Sequence, residues 1–184
     1  WHLANAPANA PLTVGGWTNF VGNLVGQLSN YFNWQKNSNG VVTTSTNYAT
    51  TDLVNDAINW ISARGTNPWF IWAAFNAPHT PFHNPPQSLC PSYPLNTLTN
   101  NRRQFEAMVE AMDTEIGRLL SAVDRANTHI IFIGDNGTLG GVIAPPFSSS
   151  RGKDTLYEGG IHVPLVISGP AVANPNRTND TPVN

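Results

Sequence analysis

Apolar side chains recur at helical spacing in two stretches of the chain. Residues 50–65 carry them every three or four positions, with Thr51 or Asp52 able to cap the start and Gly65 able to end the helix. A longer stripe with the same spacing runs through residues 101–125. The pattern therefore predicts two helices, one over each stretch.

Three further stretches are almost continuously apolar. They are WFIWAAF at 69–75, HIIFIG at 129–134 and VPLVISG at 163–169. A strand with one side in solvent alternates between apolar and polar residues, and these runs do not, so each is predicted to be a strand covered on both faces. Because helices and buried strands alternate, the sequence predicts an α/β fold with a largely parallel sheet flanked by helices.

The length of the chain favours a single domain. Its 184 residues suffice for one hydrophobic core and are few for two, so we expect one domain over residues 1–184. The α/β core is predicted at 50–170. Residues 1–49 give weaker signals, and residues 171–184 have the composition of a loop or tail.

Composition and charge exclude several classes of protein. Only 11% of the residues are charged, against about 25% in an average protein. The net charge of -2 comes without any Lys/Arg cluster, which argues against nucleic-acid binding. No apolar run approaches the roughly 18 residues of a membrane span. The single cysteine, Cys90, has no partner for an intrachain disulfide and is interpreted as an inert thiol.

Polar side chains capable of chemistry follow two of the predicted strands. Asp135 and Asn136 come directly after one strand, with Arg151 and Lys153 later in the same loop, and His79 follows another strand. Loops at the carboxyl ends of parallel strands converge on one crevice. Carboxylate and amide oxygens suit a hard divalent cation, and the cationic side chains suit an anionic, oxygen-rich substrate.

Each of these features also has a structural interpretation. Asp-Asn-Gly is common in simple turns, His79 alone is typical of a loop histidine bonded to the backbone, and Lys153 alone is typical of a solvated surface charge. The remaining histidines of the sequence after residue 79 are interpreted as structural: His83, His129 and His162.

Four motifs together resemble those of the sulfatases, within the alkaline-phosphatase-like superfamily. They are WHL at 1–3, NAPHTP at 76–81, DNG at 135–137 and KDTLYEGGIHVPLVISGP at 153–170. The last is the most specific because it is long. The resemblance implies a partial alkaline-phosphatase-like fold, a hydrolase of sulfate esters, and a sulfated small molecule or carbohydrate as its substrate.

The resemblance also implies roles for individual residues. Asp135 and Asn136 match calcium ligands of the family. His79 matches the histidine that contacts the sulfate and helps the leaving oxygen depart, and Lys153 matches the lysine that binds the sulfate and ester oxygens. His2 matches a histidine close to the nucleophile.

Two features of the family are missing from this sequence. The Cys/Ser-x-Pro-x-Arg motif, whose first residue becomes the formylglycine nucleophile, is absent, and Cys90 does not fit it. The paired aspartates that complete the calcium site are absent too. We therefore expect a fragment of a catalytic domain that has an incomplete calcium site, little activity alone, and a tendency to self-associate through unpaired strands.

Other functions remain open from the motifs alone. A metal, a lysine and a histidine serve phosphoryl transfer equally well, so a phosphodiesterase or phosphonate monoester hydrolase of the same superfamily is an alternative. A non-catalytic binding module that kept the fold is another. By family habit and low charge, a secreted or periplasmic location is expected.

Overall fold

The computed structural model of the protein describes residues 7–181 and divides into two compact units. Unit 1 is Trp1–Ala122 and unit 2 is Val123–Asn184. The single domain expected over residues 1–184 stays a prediction. Among residues 7–181, no helix has the length and apolarity needed to cross a membrane.

Unit 1 opens with a short helix and a small antiparallel sheet, in the region where the sequence signals are weak. Its elements are α1 (Ala10–Thr13), β1 (Val21–Gly22), β2 (Trp34–Ser38) and β3 (Val41–Ser45). The sheet order is β1-β2-β3, and both pairs of strands are antiparallel.

A two-residue turn, Asn39-Gly40, joins β2 to β3. Both residues have positive φ, 52° and 98°, as a type I′ hairpin turn requires. The side chain of Asn37 stabilises the turn, because its Oδ1 accepts from Gly40 N at 3.0 Å. An Asn-Gly pair is the strongest short-range signal for a hairpin, so this hairpin was predictable from the sequence alone.

The first predicted helix is confirmed as α2 (Ala49–Ser62). It begins earlier than expected, with Tyr48 at the N-cap and no side-chain cap, so the expected capping by Thr51 or Asp52 is wrong. Both residues lie inside the first turn, where their side chains have other partners. Asp52 Oδ2 accepts from Ser45 Oγ at 2.6 Å and thereby ties α2 to β3.

A lysine from the sheet completes this polar contact. Lys36 Nζ lies 2.9 Å from Asp52 Oδ1 and 2.6 Å from Asp56 Oδ2. Burial by itself lowers the pKa of Lys36, but the hydrogen bonds to Asp56 and Asp52 outweigh it and raise the pKa overall. The cluster therefore stays charged and joins the hairpin to α2.

The second predicted helix is confirmed as α3 (Asn101–Ser121). Asn100 caps it, because its Oδ1 accepts from Arg103 N at 3.0 Å. One buried carboxylate joins α3 to α2: Glu115 accepts from Thr51 Oγ1 at 2.6 Å and pairs with Arg118.

The core of unit 1 lies between the sheet, α2, α3 and the loop after residue 75. Its main cluster of buried residues is Leu28, Tyr31, Trp34, Tyr48, Ala49, Ala77 and Met108. A second cluster packs α3 against the loop before it and consists of Cys90, Leu98, Ala107 and Ala111. Cys90 is fully buried, and burial raises the pKa of its thiol, which agrees with an inert role.

The predicted strand at 69–75 is wrong for this structure. The segment has no strand assignment, and Phe70 and Trp72 are more than 70% exposed. Trp17 packs against both rings, at centroid distances of 6.0 and 6.2 Å. An apolar run becomes a buried strand only where neighbouring strands bond to its backbone, and none of residues 7–122 does so here.

Unit 2 contains β4 (Ile130–Ile133), a short helix α4 (Glu158–Ile161) and β5 (Leu165–Ser168). The two strands fall in the stretches predicted as strands. They pair antiparallel, however, and their side chains are largely exposed, including Ile131 at 66% and Ile133 at 62%. The largely parallel sheet covered on both faces is therefore wrong for the strand pairs within residues 7–181, all of which are antiparallel.

Candidate active site

The loop that carries His79 is fastened by the side chain of a buried tyrosine. Tyr31 OH lies 2.8 Å from Asn76 O and 2.9 Å from His79 O. The loop also closes on itself, because His79 N donates to Asn76 O at 2.9 Å. Asn76 Nδ2 donates to Gly26 O at 3.2 Å and ties the start of the loop to another segment of unit 1.

The imidazole of His79 is exposed and has a defined orientation. Its Nδ1 lies 3.0 Å from Thr80 O. A carbonyl oxygen can only accept, so Nδ1 carries the hydrogen and Nε2 is the nitrogen left to exchange protons. No hydrogen bond from the rest of residues 7–122 engages Nε2. The side chain can therefore act as an acid or base through Nε2.

His83, four residues later, has a different environment. It is flanked by three aromatic rings, those of Tyr31, Phe32 and Tyr48. Its Nδ1 donates to Pro81 O at 2.9 Å and its Nε2 lies 3.2 Å from Tyr48 OH. Burial lowers the pKa of His83, and the hydrogen bond to Pro81 only partly opposes this. These contacts agree with its interpretation as a structural histidine.

In unit 2, the Asp-Asn-Gly loop lies directly against the segment that follows Arg151. Gly137 N donates to Gly160 O at 2.8 Å, and Lys153 N donates to Thr138 O at 2.8 Å. The two backbones approach so closely that a Cβ on Gly137 would collide with Gly159 O. Glycine is required at this contact because any side chain would separate the two segments.

The structure thus brings together the segments that carry three of the predicted site residues. Asp135 is exposed, whereas Asn136 and Lys153 are half-buried. His79 belongs to unit 1, and His2 lies outside the described residues. The roles of all five residues stay predictions.

The calcium prediction can be tested against the donor set. Calcium binds 6 to 8 oxygen ligands. Asp135 and Asn136 offer carboxylate and amide oxygens on adjacent residues, yet residues 7–181 contain no group of three or more His, Cys, Asp or Glu side chains placed to hold a metal. Asp135 and Asn136 thus offer donors of the kind that calcium binds, and the calcium site itself stays a prediction.

Sequence reasoning missed the residues that support the loops. Tyr31 lies 45 positions before Asn76 in the chain, and no local pattern connects the two. The glycines at the loop contact were visible in the sequence, since Gly137, Gly159 and Gly160 all lie inside the motifs at 135–137 and 153–170. A run of glycines beside functional side chains is a signal for close backbone approach, and it could have been used.

Comparison with known proteins gives a consistent result. A family model described as Sulfatase matches residues 1–184. A protein named "Sulfatase" from Formosa agariphila is 32% identical over 151 residues, which is 71% of this chain and 27% of that protein. Arylsulfatase J of Mus musculus is 28% identical over 195 residues, which is 95% of this chain and 32% of that protein.

A solved structure is also similar. Ps i-CgsB, in complex with k-i-k-neocarrahexaose, superposes with a TM-score of 0.79 at 28% identity, covering 93% of this chain and 43% of that one. The predicted α/β, alkaline-phosphatase-like class is confirmed in its partial form. The chain spans about a third of the length of the curated relatives it matches.

Proposed function

The chain belongs to the sulfatase family, and from that premise we propose that it forms part of a metal-dependent hydrolase of sulfate esters. The observation that carries this proposal is the contact between two motif segments of unit 2. The hydrogen bonds from Gly137 N and Lys153 N hold the segment with Lys153 against the loop with Asp135 and Asn136. A lysine and a metal-binding loop on adjacent segments can act together on the oxygens of an anionic ester.

Lys153 and His79 have complementary roles in this proposal. The Lys153 ammonium binds the sulfate and ester oxygens and stabilises negative charge that develops as the sulfuryl group transfers. Protonated His79, with Nδ1–H committed to Thr80 O, gives its Nε2 proton to the departing alcohol oxygen and is left as the neutral Nδ1–H tautomer. His2 contributes near the nucleophile.

Asp135 and Asn136 are proposed to supply two oxygen ligands of a calcium shell, with the other ligands coming from elsewhere. A bound cation of this kind adds charge stabilisation at the sulfate oxygens. In this chain the two residues do no more than hold part of the shell, so binding to the chain alone should be weak.

The proposed substrate is a sulfated small molecule or carbohydrate. The complex of Ps i-CgsB with k-i-k-neocarrahexaose supports the carbohydrate as the class to test first. A secreted or periplasmic location is proposed along with it.

The chain by itself is proposed to have little or no sulfatase activity. Its sequence contains no Cys/Ser-x-Pro-x-Arg motif, so the covalent route through formylglycine is closed to it. It is also proposed to self-associate, because apolar side chains on β4, β5 and the 69–75 segment are exposed.

The experiment compares this chain with a longer protein, in which the chain is fused behind the N-terminal part of a full-length sulfatase that carries the Cys/Ser-x-Pro-x-Arg motif. Both are assayed with an aryl sulfate and the matching aryl phosphate, with and without calcium. The longer protein should hydrolyse the aryl sulfate faster than the aryl phosphate and should lose activity when calcium is chelated. The chain alone should hydrolyse neither ester. Robust turnover by the chain alone would overturn its proposed inactivity.

Variants of the longer protein test the assigned roles. His79→Gln and Lys153→Met should each lower kcat by about 10²-fold or more. His162→Gln is the matched control, since His162 is exposed and pairs with Glu158. Preference for the phosphate would favour the phosphoesterase alternative, and a folded protein inactive on both esters would favour the non-catalytic one.

A further inference from the structure

Two buried tyrosines of unit 1 make different use of their hydroxyl groups. Tyr31 and Tyr48 lie with ring centroids 6.2 Å apart and are 2% and 6% exposed. The hydroxyl of Tyr31 contacts two backbone carbonyls of the His79 loop, whereas that of Tyr48 contacts the His83 ring. The two tyrosines therefore lie in the same core, but the hydroxyl of Tyr31 contacts the His79 loop and that of Tyr48 contacts His83.

We infer that Tyr31 is a positioning residue for His79, an inference that rests on the proposed role of His79 in ester cleavage. The phenol joins Asn76 O and His79 O, the carbonyls at the two ends of a tight turn. Its ring is locked in the core between Tyr48 and His83. The Tyr31 hydroxyl therefore restrains the exposed His79 loop by bonding it to a side chain that the core holds in place.

The orientation of the catalytic ring depends on this loop geometry. His79 Nδ1 donates to the carbonyl of the next residue, Thr80, so the bond survives only while the backbone at 79 and 80 keeps its conformation. Asn76 O already accepts from His79 N, and the single hydroxyl hydrogen of Tyr31 is shared between Asn76 O and His79 O. Removing the phenol oxygen takes away the hydrogen bonding from Tyr31 and leaves the bond from His79 N to Asn76 O to hold the turn.

The first test observes the imidazole directly in this chain. Two-bond ¹H–¹⁵N correlation NMR at about pH 8, where an ordinary imidazole is neutral, reports which ring nitrogen carries the hydrogen. The His79→Gln variant assigns the His79 signals by their disappearance. In the unmodified chain His79 should be mainly the Nδ1–H tautomer. In Tyr31→Phe the ratio of the two tautomers should move about fivefold toward that of an unconstrained imidazole.

Tyr48→Phe is the matched control. It removes a hydroxyl from the same core and should change the ring signals of His83 while those of His79 stay in place. If Tyr31→Phe folds and leaves the His79 tautomer ratio unchanged, or if Tyr48→Phe changes it as much, the inference is wrong.

The second test uses the longer protein described above and compares its activity on substrates with different leaving groups. Help from a proton donor matters most when the departing alcohol is a poor leaving group. Tyr31→Phe should therefore lower kcat about fivefold more for an alkyl sulfate than for an activated aryl sulfate, with KM little changed. An equal loss for both substrates would mean a purely structural role and would overturn the inference.

The two tests separate this inference from the function on which it rests. If His79→Gln retains full activity, the proposed role of His79 fails, while the tautomer measurement still decides whether Tyr31 orients the ring. If His79→Gln is inactive and Tyr31→Phe changes neither the tautomer nor the leaving-group dependence, only the positioning role fails.

Discussion

The two loops that carry the candidate chemistry are held in place by different means. The His79 loop depends on side chains: the Tyr31 hydroxyl and the Asn76 amide reach it from the core and from a neighbouring segment. The loop with Asp135 and Asn136 depends on backbone groups, with Gly137 bonded to Gly160 and Thr138 bonded to Lys153. One loop is fixed by particular functional groups, and the other by the absence of side chains.

This difference determines how each loop responds to substitution. The Tyr31 hydroxyl can be removed with little change in the shape of the side chain, so the stability of the His79 loop should fall only modestly. The backbone contact at Gly137 allows no small change of this kind, because even a methyl group added there collides with the facing backbone.

The largest effect is expected from Gly137→Ala. The added Cβ would collide with the backbone of Gly159 and Gly160, neither of which can move aside as a flexible side chain could. We expect a loss of about 3 kcal/mol in the free energy of unfolding, measured by urea denaturation. The control is Gly141→Ala, where no atom lies within 4 Å of the new Cβ and stability should hold or rise slightly. If Gly137→Ala and Gly141→Ala had equal stability, close backbone contact would not be what holds the loop with Asp135 and Asn136 in place.

Tyr31→Phe should have a smaller effect on stability, of about 1 kcal/mol, because one hydroxyl is lost while the packing of the ring remains. Amide hydrogen exchange should show the loss at residues 76 to 80 and leave β4 and β5 protected as before. If Tyr31→Phe also increased hydrogen exchange in β4 and β5, the effect of the Tyr31 hydroxyl would not be confined to the His79 loop.

Acid should weaken unit 1 through His83. Burial lowers the pKa of His83 in the folded state, so below about pH 6.5 the unfolded chain takes up a proton that the folded chain refuses. This contribution to stability is complete above that pH and declines as the pH falls toward the folded-state pKa. Urea denaturation over this range should give a steeper decline for the unmodified chain than for His83→Gln. Parallel curves would show that His83 does not contribute.

The smallest effect is expected from Lys153→Met. The contact of this residue with the Asp-Asn-Gly loop uses its backbone N–H, which the substitution keeps. The free energy of unfolding should change by less than about 0.5 kcal/mol, whereas activity in the longer protein should be lost. A large loss of stability would mean that the ammonium group supports the fold.

The helices were predictable and most of the sheet was not, for one physical reason. The α2 and α3 periodicity is local, and each helix satisfies its own backbone. A run such as 69–75 becomes a strand only when another strand bonds to it, and the run itself does not specify that partner. The hairpin at Asn39-Gly40 shows the opposite case, in which a local turn signal is sufficient to specify the pairing.

The candidate site was predictable in its residues and not in its supports. His79, Asp135, Asn136 and Lys153 lie within motifs that the sequence displays. The bond from Tyr31 to the His79 loop spans 48 residues and arises from packing, which no local pattern encodes.

The hydrogen bond from Gly137 N to Gly160 O also bears on how the protein ages. An asparagine followed by glycine is prone to deamidate, because the glycine nitrogen meets no side chain as it attacks the amide carbon and releases ammonia. At Asn136 that nitrogen is already engaged as a donor, and the same holds at Asn39, where Gly40 N donates to Asn37 Oδ1. Folding therefore shields both peptides, and material stored unfolded would acquire negative charge at a candidate ligand.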